Sequence, residues 1–119
     1  MGNSLKNVQQ AMKAFSAARD WDQFHDPKNL AEALSIEAGE TLELFLWKTK
    51  EQIEKDLQNP EFKKELSDEL ADVLHYLVLL ADKTGIDLEK ASAEKLKEAS
   101  RRYPVEKSRG NATKYTKLT

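Results

Sequence analysis

Four carboxylates carry the chemistry this chain can be expected to do. On the helical segment that opens near Pro27, the rows through residues 30, 34, 37, 41, 44 and through 30, 33, 37, 40, 44 point inward. Glu37 and Glu40 occupy places in those rows where apolar side chains belong. On the segment that opens at Pro60, a turn of 100° per residue lines up Glu65, Glu69, Asp72 and Tyr76 in one narrow stripe. That stripe borders the apolar face of Leu66, Leu70, Val73, Leu77 and Leu80. An ionised carboxylate at the edge of a core costs several kcal/mol unless something compensates it. No Arg shares either stripe, and Lys48, the one ammonium near the first, cannot balance four acids.

A bound cation is the simpler compensation. An all-oxygen donor set of Asp and Glu suits hard Mg²⁺, or Mn²⁺ in its place, whereas Zn²⁺ normally recruits His or Cys. Mg²⁺ is held by a few carboxylates together with phosphate oxygens of a substrate, which makes phosphoanhydride hydrolysis the reaction these residues suit. A single Glu pair at i, i+3 is commonly just a solvated helix face; two pairs set in core rows are a different matter. His75 follows Asp72 at i+3, as in di-iron bundles, but it points about 100° away from the acid stripe and has no second motif to complete it.

The elements that must position these acids follow from caps and periodicity. Residues 3–19 repeat apolar side chains at Leu5, Val8, Met12, Phe15 and Ala18, which predicts a first helix. Asp26-Pro27 caps and opens a second, expected to run to about Trp47. Thr49 with Gln52 has the form of a capping box and predicts a short restart to about Leu57. Asn59-Pro60 opens a long helix that Gly85 ends, and Asp87 caps another that stops near Tyr103-Pro104. With no alternating stretch and no repeat, the expected fold class is all-α, a bundle of four to five helices in a single domain over 1–119, with 103–119 a basic C-terminal tail.

Composition agrees and excludes much else. A chain of 119 residues with 39% hydrophobic and 34% charged side chains suits one helical domain. The net charge of −2 conceals an asymmetry: six of the 19 basic side chains but one of the 21 acidic ones lie from Arg101 onward, leaving 13 and 20 before it. The run Tyr76 to Ala81 is too short to span a bilayer, no secretory signal is expected, and the absence of Cys fits a cytoplasmic protein. Neither a nucleic-acid-binding signature nor a basic amphipathic membrane face is present, so neither partner is expected.

Taken together, Glu37-x-x-Glu40, a 28-residue gap and Glu69-x-x-Asp72 resemble the signature of the MazG-like all-α nucleoside triphosphate pyrophosphohydrolases. The stretch from Arg19 to His25, Leu44 to Thr49, Glu69 to Leu77, Arg102-Tyr103-Pro104 and Lys114-Tyr115-Thr116 resemble the dCTP pyrophosphatase-like branch over nearly the whole chain. The resemblance implies cleavage between the α and β phosphates of a nucleotide, releasing monophosphate and pyrophosphate in a house-cleaning role. It implies that Glu37, Glu40, Glu69 and Asp72 hold Mg²⁺, one of them also orienting or deprotonating the attacking water.

Trp21, His25 and Trp47 then fall on the nucleobase side, where flat rings stack on a base and His hydrogen-bonds to it. Tyr76, Lys48, Lys107, Arg109 and Lys114 fall to the phosphates. Met12 stands where animal members carry His, and Ala99 where the family often has Asn, so strict cytosine selectivity is not implied. The resemblance also implies a homo-oligomer, a dimer or tetramer. From another class, the alternative is a non-catalytic helical interaction module whose acids bind a structural ion or a basic partner.

Overall fold

A computed structural model describes residues 4–119, and the chain within that range is all-α, with no strand among the described residues. The helices are α1 (Leu5–Ala18), α2 (Pro27–Glu43), α3 (Lys50–Asp56), α4 (Pro60–Thr84), α5 (Leu88–Arg102) and α6 (Val105–Ser108). Short 3₁₀ turns lie at Asp22–Phe24 and Tyr115–Lys117. Residue 3, with which the first helix was expected to begin, lies outside the described residues.

Local chemistry sets most of these boundaries. The side chains of Ser4, Asp26, Thr49, Asn59 and Asp87 each accept a hydrogen bond from a backbone N–H in the first turn of the helix they open. Thr49 and Gln52 complete their capping box in both directions, at 3.1 and 2.8 Å. Gly85 takes the left-handed conformation at φ 71°, and the pair of bonds from Ile86 N to Ala81 O and Gly85 N to Asp82 O closes α4.

Two expectations differ. The second helix stops at Glu43 rather than near Trp47. The amides of Leu44, Phe45 and Leu46 bond three residues back, and Trp47 sits at φ 64°, which no right-handed helix accommodates. The cause is Thr49: as N-cap of α3 it is extended, so the chain must leave the helix within a few residues. The expected tail also has structure of its own, α6 and the second 3₁₀ turn.

The chain divides into two compact units, one ending at Ile86 and the other running from Asp87 to Thr119. In the first, α4 packs against both α2 and α1. Its most buried side chains are Leu30 on α2, Val78, Leu79 and Ala81 on α4, and Ser16 on α1. Polar links tie α1 and the turn after it to α4: Gln9 Nε2 donates to Val78 O at 2.8 Å, Lys13 pairs with Asp82 at 3.2 Å and Lys83 with Asp22 at 2.8 Å. In the second unit, Tyr103 meets Tyr115 edge-on at 5.9 Å, and Arg102 lies over the Tyr115 ring while pairing with Glu98.

Candidate active site

Helices α2 and α4 run antiparallel, so that Glu37 faces Glu69 while Phe45 meets Phe62 edge-on at 6.1 Å further along. This crossing brings ligand oxygens of Glu37, Glu40 and Glu69 within 4.8 Å of one another. Asp72, one turn beyond Glu69, acts on Glu37 and Glu69 through its charge. Glu37, Glu69 and Asp72 are half-buried, whereas Glu40 is exposed at the rim.

The electrostatics are those of crowded like charges. Burial pushes the Glu37 carboxyl up to about 7, with hydrogen bonding to Glu69 and Glu40 and the charges of Glu40 and Asp72 adding to it. For Glu69 the largest influence, its hydrogen bond with Glu37, acts downward. Burial together with Glu40 and Asp72 outweighs it, and the carboxyl is raised. Oε2 of Glu37 and Oε2 of Glu69 are both sealed from solvent with no hydrogen-bond donor. Orphaned buried acceptors of this kind need a proton or a cation. The donor set is all oxygen, converging and under-compensated, and so fits a hard divalent ion.

Tyr76 lies close to the same group: burial first, then the charges of Glu37 and Asp72, raise its phenol above the ordinary value. It is therefore a hydrogen-bond donor at neutral pH. Trp21 is half-exposed and stands edge-on to Phe15 at 5.6 Å, with Arg19 stacked over the same Phe15 ring. His25 ends the first 3₁₀ turn, and its Nδ1 is buried without a partner. Trp47 is 93% exposed. Lys48 is engaged elsewhere than at the acid stripe, its Nζ lying 2.7 Å from Asp56 and 4.7 Å from the centre of the Phe62 ring. Lys107, Arg109 and Lys114 all belong to the second unit, at α6, at its end and ahead of the last 3₁₀ turn.

A cavity of about 380 Å³ opens beside Lys48, lined by Leu44, Phe62, Asp56, Glu43 and Glu65 among others. Glu43 and Glu65 sit one turn along from Glu40 and Glu69. Sequence patterns did not single out Asp56 or the role of Phe62; the only local hint was that Phe62 is apolar near the start of α4.

Comparison with known proteins agrees with this geometry. The model of the MazG-like family matches residues 32–118. A protein named dCTP pyrophosphatase 1 from Bos taurus is 44% identical over 115 residues, which is 97% of this chain and 68% of that protein. Its namesake from Homo sapiens is 42% identical over the same shares. The crystal structure of a pyrophosphatase from Archaeoglobus fulgidus superposes with a TM-score of 0.78 at 33% identity, covering 87% of this chain and 95% of that one. The chain belongs to the MazG-like family.

Proposed function

We propose that this chain, a nucleotide pyrophosphohydrolase, adds water across the α–β phosphoanhydride of deoxynucleoside triphosphates, dCTP among them, in a Mg²⁺-dependent reaction that keeps the nucleotide pool clean. The observation that carries the proposal is the cluster of Glu37, Glu40 and Glu69 with its two orphaned, buried oxygens. The relatives named for dCTP hydrolysis support the substrate class.

In this reading Glu37, Glu40, Glu69 and Asp72 hold the ion, for which Mn²⁺ is a substitute. Once bound, a divalent ion there offsets the charge on the phosphates and lowers the pKa of water in its shell. One of the four carboxylates orients the attacking water and accepts its proton. Tyr76 donates to a phosphate oxygen. Trp21 and Trp47 stack on the base and His25 hydrogen-bonds to it. The 119 residues work as one domain in the cytoplasm, and as a homo-oligomer. Among the described residues no helix is long and apolar enough to cross a membrane.

The test is product analysis of each dNTP and NTP with Mg²⁺ and again with EDTA. Monophosphate and pyrophosphate should appear together, only with the metal, and with dCTP among the substrates. Absence of turnover from every nucleotide would favour a helical interaction module instead.

A further inference from the structure

We infer that the Lys48–Asp56 ion pair is a positioning strut that holds Trp47 in the pose from which it meets the nucleobase; the inference rests on the reading of Trp47 given above. Trp47 is in the left-handed region at φ 64° and is 93% exposed. A bulky residue keeps such a backbone only when its surroundings over-determine it. A side chain so exposed cannot supply those surroundings itself, so its neighbours must.

Those neighbours are tied down on both sides, and at one place. Before Trp47, Phe45 meets the ring of Phe62 at 6.1 Å. After it, Lys48 Nζ lies 4.7 Å from the centre of the same ring and 2.7 Å from Asp56 Oδ2, while Thr49 is locked into the capping box of α3. Phe62 therefore anchors both flanks, and Asp56, at the last turn of α3, fixes the direction in which Lys48 leaves the turn. Leu46 and Trp47 are left as the projecting part of a clamped loop. Lys48 and Asp56 are each about one-third exposed, at 35% and 33%, so water screens the pair only in part. An ammonium paired at this distance steadies the loop. The pair also lines the cavity that reaches Glu43 and Glu65, next to the acid cluster, so the clamped loop stands at the edge of the site.

The experiment compares the full chain with Asp56→Asn and with the charge-swapped double variant Lys48→Asp, Asp56→Lys. It reads kcat and KM for dCTP with Mg²⁺. In a Trp21→Phe background, where Trp47 is the sole tryptophan of the two in the sequence, it also reads time-resolved fluorescence anisotropy. Asp56→Asn should raise KM about fivefold with kcat within about twofold, the scale and signature of losing one partly shielded ion pair that acts on binding alone. Trp47 should gain a fast wobble in the same variant, and the swap should bring both readouts back toward the parent.

Unchanged KM and anisotropy in Asp56→Asn would overturn the strut. So would a loss that the swap leaves unrepaired, since that would trace to packing rather than to the pair. A parent chain that fails to hydrolyse dCTP would instead count against the functional reading, and the anisotropy of Trp47 would still decide whether the strut exists.

Discussion

Glu37 on α2 faces Glu69 on α4, and each keeps an Oε2 that is shut away from solvent without a donor. Two carboxylates in that relation cannot both be ionised cheaply. Burial first, and then the crowding by Glu69, Glu40 and Asp72, holds the Glu37 carboxyl up to about 7.

This makes stability depend on pH with a definite sign. The folded carboxyl of Glu37, at about 7, lies above its ordinary 4.5, so the folded state binds the proton more tightly than the unfolded chain does. The resulting stabilisation is complete below the lower value and is lost as pH rises through the upper one. In EDTA, Tm should fall between about pH 5 and pH 8, and Glu37→Gln should flatten that fall. Identical slopes in the two proteins would show that Glu37 is not the group concerned.

Metal should act on the same pair. Calorimetry with Mg²⁺ should show a larger rise in Tm at about pH 8 than at about pH 6, because at the lower pH the ion competes with the proton. A stabilisation independent of pH would place the ion elsewhere.

Loss of a ligand carboxylate should remove catalysis without removing the helices. Glu37→Gln and Asp72→Asn should each lower kcat/KM for dCTP by at least about a hundredfold, the scale of losing a main electrostatic contributor, while far-UV circular dichroism stays helical. Near-normal turnover in either variant would discard the assignment of these acids.

Trp47 should show stability and function pulling apart. Its left-handed backbone costs roughly 1–2 kcal/mol that Gly would not incur, offset in part by the entropy Gly loses on folding. Trp47→Gly should therefore be as stable as the parent or more stable by up to about 1 kcal/mol in denaturant unfolding, yet bind dCTP more weakly. A destabilised variant with unchanged KM would contradict both halves.

Leu70 and Leu77, seven residues apart on α4, are 52% and 37% exposed, and Ile36 and Leu42 on α2 are more exposed still. Apolar side chains repeated at this spacing along a helix are suited to a seam with a second copy. Light scattering should report a multiple of the 13.6 kDa chain, and Leu70→Glu with Leu77→Glu should shift it toward the monomer. A monomeric parent that still turns over would dispose of the oligomer.

The interactions that bound each helix span three or four residues, and for that reason they were open to inspection in the amino-acid sequence. Asp26, Thr49 with Gln52, Asn59, Gly85 and Asp87 act where their chemistry says they should. The two acid stripes were legible too, because a carboxylate in an apolar row conflicts with the period of its own helix. Where α2 ends was not. Its apolar rows continue through Leu44 and Phe45, and only the demand of the next cap, met by a strained Trp47, ends the helix at Glu43.

What the sequence by itself determined, then, was the identity and spacing of the acids, the all-α class and the caps, all of them properties of one helix at a time. Tertiary structure alone decided that Glu37 meets Glu69, which of their oxygens are starved of donors, and that Lys48 turns to Asp56 and Phe62. The physical reason is that burial and pairing depend on the crossing of α2 with α4 and on the path of the loop between them. Distances across that crossing are set by packing between residues some thirty positions apart, and no local pattern encodes them.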